Sequence, residues 1–311
     1  MLVSVIICTH NSRLQCLQRA LNALRAQTLP VQQWEILIID NASDQPLTAV
    51  DCNLSWHPRA RIVRAAKLGI AVARLRGMQE ADAEILVFVD DDNMLAADYL
   101  THAVSIGKRY PMLGVWGSGS INPEFEIQPP RELVPYLPTL RIRDVGNPLW
   151  SNVSSYAVMP WGAGQCVRPQ IALAYQERFE KSKIKINGQD SKDSRPFHVG
   201  EDLEIGYVAC ACGLGVGIFP ELKLTQLISK ERLNEDYLIS FREDLAVSTM
   251  LLEYTWRSRV MPNPLGGLLG VLRVVRNVLR RNGLQRRLYL ADVRGQLRAR
   301  ALILEHTREN S

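Results

Sequence analysis

Two acid clusters in this chain have the residue types and spacing to do chemistry. Asp90, Asp91 and Asp92 follow the apolar run Val87-Phe88-Val89 without a break, and Glu201-Asp202 lies far downstream. Adjacent carboxylates repel one another, so a triplet of them is built for a positive charge. Hard divalent cations take oxygen ligands, often one or two carboxylates plus substrate phosphates. At a strand end Asp90 and Asp92 can face the same side, and they are the expected metal ligands. An isolated triplet could equally be a solvated acidic turn or a helix cap, where Asp is favoured. Its place after an apolar run, beside another strand-end acid, points to metal. Glu201-Asp202 could supply a general base, because a carboxylate can take the proton of an attacking hydroxyl. Acids also favour a helix's first turn for its dipole alone.

The elements that must position these acids are legible as alternation. "LVSVIIC" (Leu2 to Cys8) predicts a buried strand ending at Thr9-His10-Asn11-Ser12, and Leu14, Leu17, Leu21 and Leu24 then recur at helical spacing. "WEILIID" (Trp34 to Asp40), "RIVRA" and "EILVFVD" (Glu84 to Asp90) predict further strands. Helices are expected from Leu68-Gly69 to about Ala81 and over Ala96 to Lys108, before "LGVWG" (Leu113 to Gly117). Strands apolar on both faces, alternating with helices, imply an α/β fold with a mostly parallel sheet covered on both sides. Ligands of such sheets bind beyond the carboxyl ends of the strands, where His10, Asp40 and Asp90 converge. Gly117 to Pro160 predicts irregular structure, followed by a helix over Ile171 to Phe179 and a polar loop from Lys181 to Ser194. Another helix opens at Glu201-Asp202, and Gly213 ends it before a short strand.

Two common nucleotide-binding motifs are excluded. No GxxxxGK[ST] occurs, and "CTHNSRLQ" after the first strand holds no glycine where GxGxxG would start. The absence of a Gly-rich, Lys/Arg-bearing first loop also weighs against a sugar-nucleotide nucleotidyltransferase. Trp116 and Trp161 could stack on sugars or lie in the core.

The chain has 311 residues, 47% hydrophobic and 22% charged, enough for one large domain or two smaller ones. No apolar run approaches a membrane span of about 18 residues, and the start lacks a basic leader, so a cytoplasmic protein is expected. Six cysteines without CxxC or zinc-like spacing are expected as free thiols. The net charge of +5 is uneven: from Pro262 onward ten Arg face three acids, leaving the first 261 residues at −2. Leu265, Leu268, Leu269, Leu272, Val275 and Leu279 form a helical stripe there, with Arg273, Arg276 and Arg280 on another face, and Asn282-Gly283 precedes a second basic helix. Two expectations stand side by side: amphipathic helices on the inner face of an anionic membrane, or a helical hairpin packed on the catalytic domain or on a homodimer partner. Nucleic acid is not expected, since the tail is nearly free of aromatics.

"VSVIICTHNS", "ILIIDNASD", "LGIAVARLRGM", "VFVDDDN" and "VGEDLEIGYVACACGLGVGIFPEL", in this order, resemble the family-two glycosyltransferases of the GT-A fold over about residues 1 to 258. The resemblance implies a catalytic domain at 1–258, with 1–117 as its nucleotide-sugar half and 118–258 as its acceptor half, and a basic helical extension at 259–311. It implies that Thr9, His10 and Asn11 line a nucleotide pocket and that Asp40 holds the base edge. Arg74 would lie near the phosphates or brace the acidic motif. Asp90 and Asp92 would bind Mn²⁺ or Mg²⁺ as the DXD acids, with Asp91 among the nucleotide-binding residues. Asp202 would be the general base, with Glu201 beside it. Many relatives carry a His where this chain has Gln226, a poorer ligand for Mn²⁺ but acceptable to Mg²⁺; Lys230 and Arg232 could contact the diphosphate instead. The implied activity is inverting transfer of a sugar from a nucleotide sugar to a carbohydrate, lipid-linked or other hydroxyl acceptor. The alternative is a non-catalytic relative that only binds a nucleotide or partner.

Overall fold

The computed structural model describes residues 1–182, 200–259 and 261–308. They pack as two compact units. The first comprises Met1–Glu126, Tyr136–Lys181 and Glu201–Ile228. Of the described residues, the second comprises Ile127–Pro135, Ser182, Gly200 and the chain from Ser229 onward. Compact packing therefore divides earlier than residue 258, and residues 229–258 go with the C-terminal helices. Most of the polar loop Lys181 to Ser194 lies outside the described residues.

The first unit is built on a ten-stranded sheet. In chain order it runs β1 (Val3–Thr9), α1 (Leu14–Arg25), β2 (Trp34–Asn41), β3 (Ala60–Ala65), α2 (Ile70–Glu80), β4 (Ile85–Asp90), β5 (Asn93–Leu95), α3 (Tyr99–Arg109) and β6 (Leu113–Phe125). There follow β7 (Arg143–Asp144), β8 (Leu149–Ser151), β9 (Cys166–Val167), α4 (Pro169–Lys181), α5 (Glu201–Ala211) and β10 (Gly215–Ile228). The strand order is β3-β2-β1-β4-β9-β6-β10-β5. The first four strands are parallel, as their apolar runs predict, and β9 is antiparallel to β4 and β6. Every residue of β1 and β2 is buried, the expected state of a parallel strand covered on both faces. Leu17, Ala20, Leu21 and Leu24 seat α1 on the core.

Two expectations are corrected. The irregular stretch starts later than Gly117: β6 continues to Phe125 and pairs with β10 along most of its length, and from Glu126 to Pro160 only 3-10 turns and strands of two and three residues follow, as expected. Sequence hides β6 because its buried positions include Ser118, Gly119 and Ser120 rather than apolar residues. Gly119 lets two backbones meet, since a Cβ there would stand 2.5 Å from the Phe219 carbonyl. The strand after Gly213 is not short either. It runs 14 residues and accommodates Pro220 at a register shift between Phe219 and Lys223.

The second unit carries α6 (Glu235–Arg257), α7 (Gly267–Leu279) and α8 (Gly283–Arg308). Asn234 caps α6 by accepting the Tyr237 N–H. Sequence gives no element there. Val247, Met250 and Leu251 of α6 pack on Ala299 and Ile303 of α8.

Candidate active site

The parallel register places the carboxyl ends of β1, β2 and β4 side by side: Thr9 stands opposite Asp40, and Cys8 opposite Asp90. Asp40 is buried. It accepts the N–H groups of Ser43 and Leu47, each at 3.2 Å, and Arg64 Nη1 at 2.8 Å. Burial pushes its pKa up, yet the hydrogen bonds from Ser43 and Leu47 and the charge of Arg64 outweigh this and hold it below the ordinary carboxylate value. Asp40 thereby anchors the loop after β2. His10 Nδ1 lies 2.8 Å from the Asn41 carbonyl, and Asn11 bonds Ser43 and Asp44. Asn41 accepts Gly69 N–H at 2.8 Å, tying the same loop to the start of α2. The first loop and the β2 loop thus form one hydrogen-bonded rim.

Each acid of the triplet has its own neighbour. Asp90 lies 3.6 Å from Arg74 Nη2. Asp91 accepts the Thr9 hydroxyl at 2.5 Å, which ties the end of β4 to that of β1. Asp92 accepts Asn93 Nδ2 at 2.8 Å, while Asn93 Oδ1 is buried without a hydrogen-bond partner among the described residues. Downstream, β5 pairs antiparallel with β10, so Gln226 stands opposite Asn93 and Leu227 N–H donates to the Asp92 carbonyl at 2.8 Å. This pairing brings Gln226 to the triplet.

Arg74 joins the triplet to the second acid cluster. It is buried on α2, 3.4 Å from Glu201 Oε1, with its guanidinium 5.0 Å from the centre of the Phe88 ring. Burial pulls the Arg74 pKa down, but Glu201, Asp90 and Asp202 hold it above the ordinary arginine value. Gly162 makes room, since a Cβ there would meet Arg74 Nη2 at 2.2 Å. Glu201 and Asp202 open α5 and are both buried. Burial raises the Glu201 pKa to about 7; Arg74 opposes the rise and Asp202 adds to it. Asp202 accepts Gly162 N–H at 3.0 Å and Leu203 N–H at 2.8 Å, with Arg141 Nη1 at 3.9 Å. Two acids with different surroundings therefore sit beside one buried cation.

Sequence missed the residues around Asp202. Arg143 on β7 stacks over the Trp161 ring at 3.6 Å, and Arg141 lies 5.1 Å from the same ring. Burial and the neighbouring Arg141 pull the Arg143 pKa down to about 10. Two arginines in a Pro-rich stretch carry no recognisable spacing; only the two-residue pairing of β7 with β6 places Arg143. Trp116 is fully buried and belongs to the core. Lys230 and Arg232 form a 3-10 turn assigned to the second unit, and Arg232 lies over Tyr237 at 5.7 Å.

Among the described residues no group of three or more His, Cys, Asp or Glu is arranged to hold a metal. Asp90 and Asp92 offer carboxylate oxygens, and Gln226, opposite Asn93, would add an amide oxygen if it reached them, an oxygen-rich set of few protein ligands. It suits Mg²⁺, which keeps waters and takes the remainder of its shell from phosphates.

Residues 4–157 match the model for glycosyl transferase family 2. The chain belongs to that family. Glycosyltransferase AglE of Haloferax volcanii is 30% identical over 105 residues, covering 33% of this chain and 34% of that protein. The succinoglycan biosynthesis protein ExoW of Rhizobium meliloti is 29% identical over 120 residues, 37% of each. An inactive polypeptide N-acetylgalactosaminyltransferase-like protein 5 of Macaca fascicularis is 25% identical over 249 residues, 76% of this chain and 54% of that one. This family 2 chain thus spans from about a third to about half of these relatives' lengths. Among solved structures, S. aureus TarS 1-349 in complex with UDP matches with TM-score 0.53 and 15% identity, covering 100% of this chain and 92% of that one. The likeness is one of fold, and the fold is the GT-A arrangement expected from the sequence.

Proposed function

We propose that this family 2 chain transfers a sugar from a nucleoside diphosphate, UDP in the first instance, to a hydroxyl acceptor in glycan or polysaccharide biosynthesis, with inversion at the anomeric carbon. The observation that carries this reading is the bridge Asp90–Arg74–Glu201, which links the triplet to the acid pair at one crevice. Thr9, His10, Asn11 and Asp40 would border the nucleotide, with Asp40 acting through the loop it anchors. Asp90 and Asp92 would hold Mg²⁺ or Mn²⁺, which when bound offsets the charge on the departing diphosphate. Asp202 would take the acceptor's proton. Its hydrogen bonds from Gly162 and Leu203 fix the carboxylate, as a base aimed at one hydroxyl requires. Single displacement needs no enzyme nucleophile. Residues 1–228 would supply this machinery, and six free cysteines fit a reducing, cytoplasmic setting.

A nucleotide-binding relative without activity is the second reading, favoured by Gln226 and by the likeness to a protein named inactive. Incubation with UDP-, GDP- and dTDP-sugars, with Mg²⁺, Mn²⁺ or chelator, separates the two. Release of UDP from one donor, lost with chelator, is expected. Tight UDP binding without release from any donor would leave the second reading standing.

A further inference from the structure

The two basic helices of the tail are not equivalent. Charges of α8 answer opposite charges of α6: Asp292 pairs with Arg242 of α6 at 2.7 Å, Arg294 with Glu243 at 2.9 Å and Arg298 with Asp244 at 3.7 Å, while Arg287 pairs with Glu235 and Asp236. Together with the apolar seam between α6 and α8, these pairs make α8 a packed helix with three of its arginines paired to acids of its own unit.

α7 is different. Gly270 and Val274 turn inward, as does Arg281 just beyond its end, which lies 4.5 Å from the Tyr289 ring. The opposite face is apolar and open: Leu268 is 75% exposed, Leu272 52%, Val275 46% and Leu279 76%. These four recur at i, i+4, i+7 and i+11, a single line along the helix. Leu269, 81% exposed, lies at one edge, where Arg273, Arg276 and Arg280 follow. None of these three arginines has an ion pair among the described residues, and the helix contains no Asp or Glu.

We propose that α7 seats this chain on an anionic lipid surface. The Leu268–Leu272–Val275–Leu279 line enters the acyl boundary, and Arg273, Arg276 and Arg280 meet headgroup phosphates. Charge selects the occupant. A second copy on the same line would add three more arginines to the contact, with no acid on this helix to offset them. A nucleic acid would satisfy the arginines and leave the leucines in water. No described helix is long and apolar enough to cross a membrane, so α7 lies in the plane of the interface. The inference rests on the second unit alone and holds whether or not the proposed reaction does.

Flotation of the full chain with phosphatidylcholine vesicles, with and without phosphatidylglycerol, tests it. Wild type should float with the anionic vesicles and release as salt rises. L268S/L272S/L279S should lose roughly tenfold or more of the partitioning. R273Q/R276Q/R280Q should fall on the order of a hundredfold, toward the neutral-vesicle level. Arg287→Gln on α8 should float like wild type. All the α7 side chains changed are exposed, and a circular-dichroism melt confirms that each variant folds. The proposal is overturned if wild type stays with the unbound fraction on anionic vesicles, or if the leucine variant floats as well as wild type. A wild-type dimer in sedimentation that the leucine substitutions dissociate would overturn it in favour of a second copy.

Discussion

Gln226 on β10 stands opposite Asn93 on β5, the residue that follows Asp92 and hands it an amide N–H. A neutral amide therefore occupies the strand position opposite the residue that follows the triplet. Gln226→His should tighten Mn²⁺ binding by roughly tenfold in the presence of UDP and change Mg²⁺ little, because imidazole suits the softer ion. Calorimetric titration of each metal measures this. Equal affinities for Mn²⁺ in both proteins would mean that the side chain does not reach the ion.

Glu201 gives a pH signature. Its native pKa of about 7 lies above the free value of 4.5, so between those values the native state binds the proton that the unfolded state has lost. Stability should therefore fall as pH rises through that window, by about 3 kcal/mol at most. Glu201→Gln should flatten the fall. Urea denaturation at about pH 5 and about pH 8 compares the two; parallel curves would refute the assignment.

Asp202 is held by two backbone N–H groups that an Asn side chain can partly keep. Asp202→Asn should lower transfer about a hundredfold or more, the scale of a lost general base. UDP affinity should stay within about twofold, because the change lies in the acceptor's chemistry. Steady-state kinetics with calorimetry reads both, and undiminished turnover removes the residue from its role.

Gly162 is the space Arg74 uses. Gly162→Ala puts a Cβ 2.2 Å from Arg74 Nη2, forcing the guanidinium off Asp90 and Glu201. Breaking this buried pairing should cost about 3 kcal/mol. Gly146→Ala, with nothing within 4 Å of the added carbon, is the control and should melt like wild type.

Much of the first unit was legible because a parallel strand writes itself as an unbroken apolar run, as in Val3–Thr9 and Trp34–Asn41. The strand-end acids were legible for the same reason: Asp40 and Asp90 mark where those runs stop. What stayed hidden depends on contacts distant in sequence. β6 buries Ser118 and Ser120, which read as loop. Gln226 reaches the triplet only through the β5–β10 register, and Arg143 reaches Trp161 only through β7. The tail was half legible. Its stripe and charge could be counted, but only the acids of α6, met by Arg287, Arg294 and Arg298, tell the packed helix from the open one.

Arg74 serves Asp90 and Glu201 at once, and one guanidinium cannot satisfy two acids independently. A cation that draws Asp90 toward itself leaves more of Arg74 for Glu201 and makes Glu201 the stronger acid. Reciprocity then requires that loss of the Glu201 proton tighten cation binding by the same factor. Filling the proposed cation site at Asp90 should thus be felt at Glu201 as proton release, a heterotropic linkage carried by a single side chain.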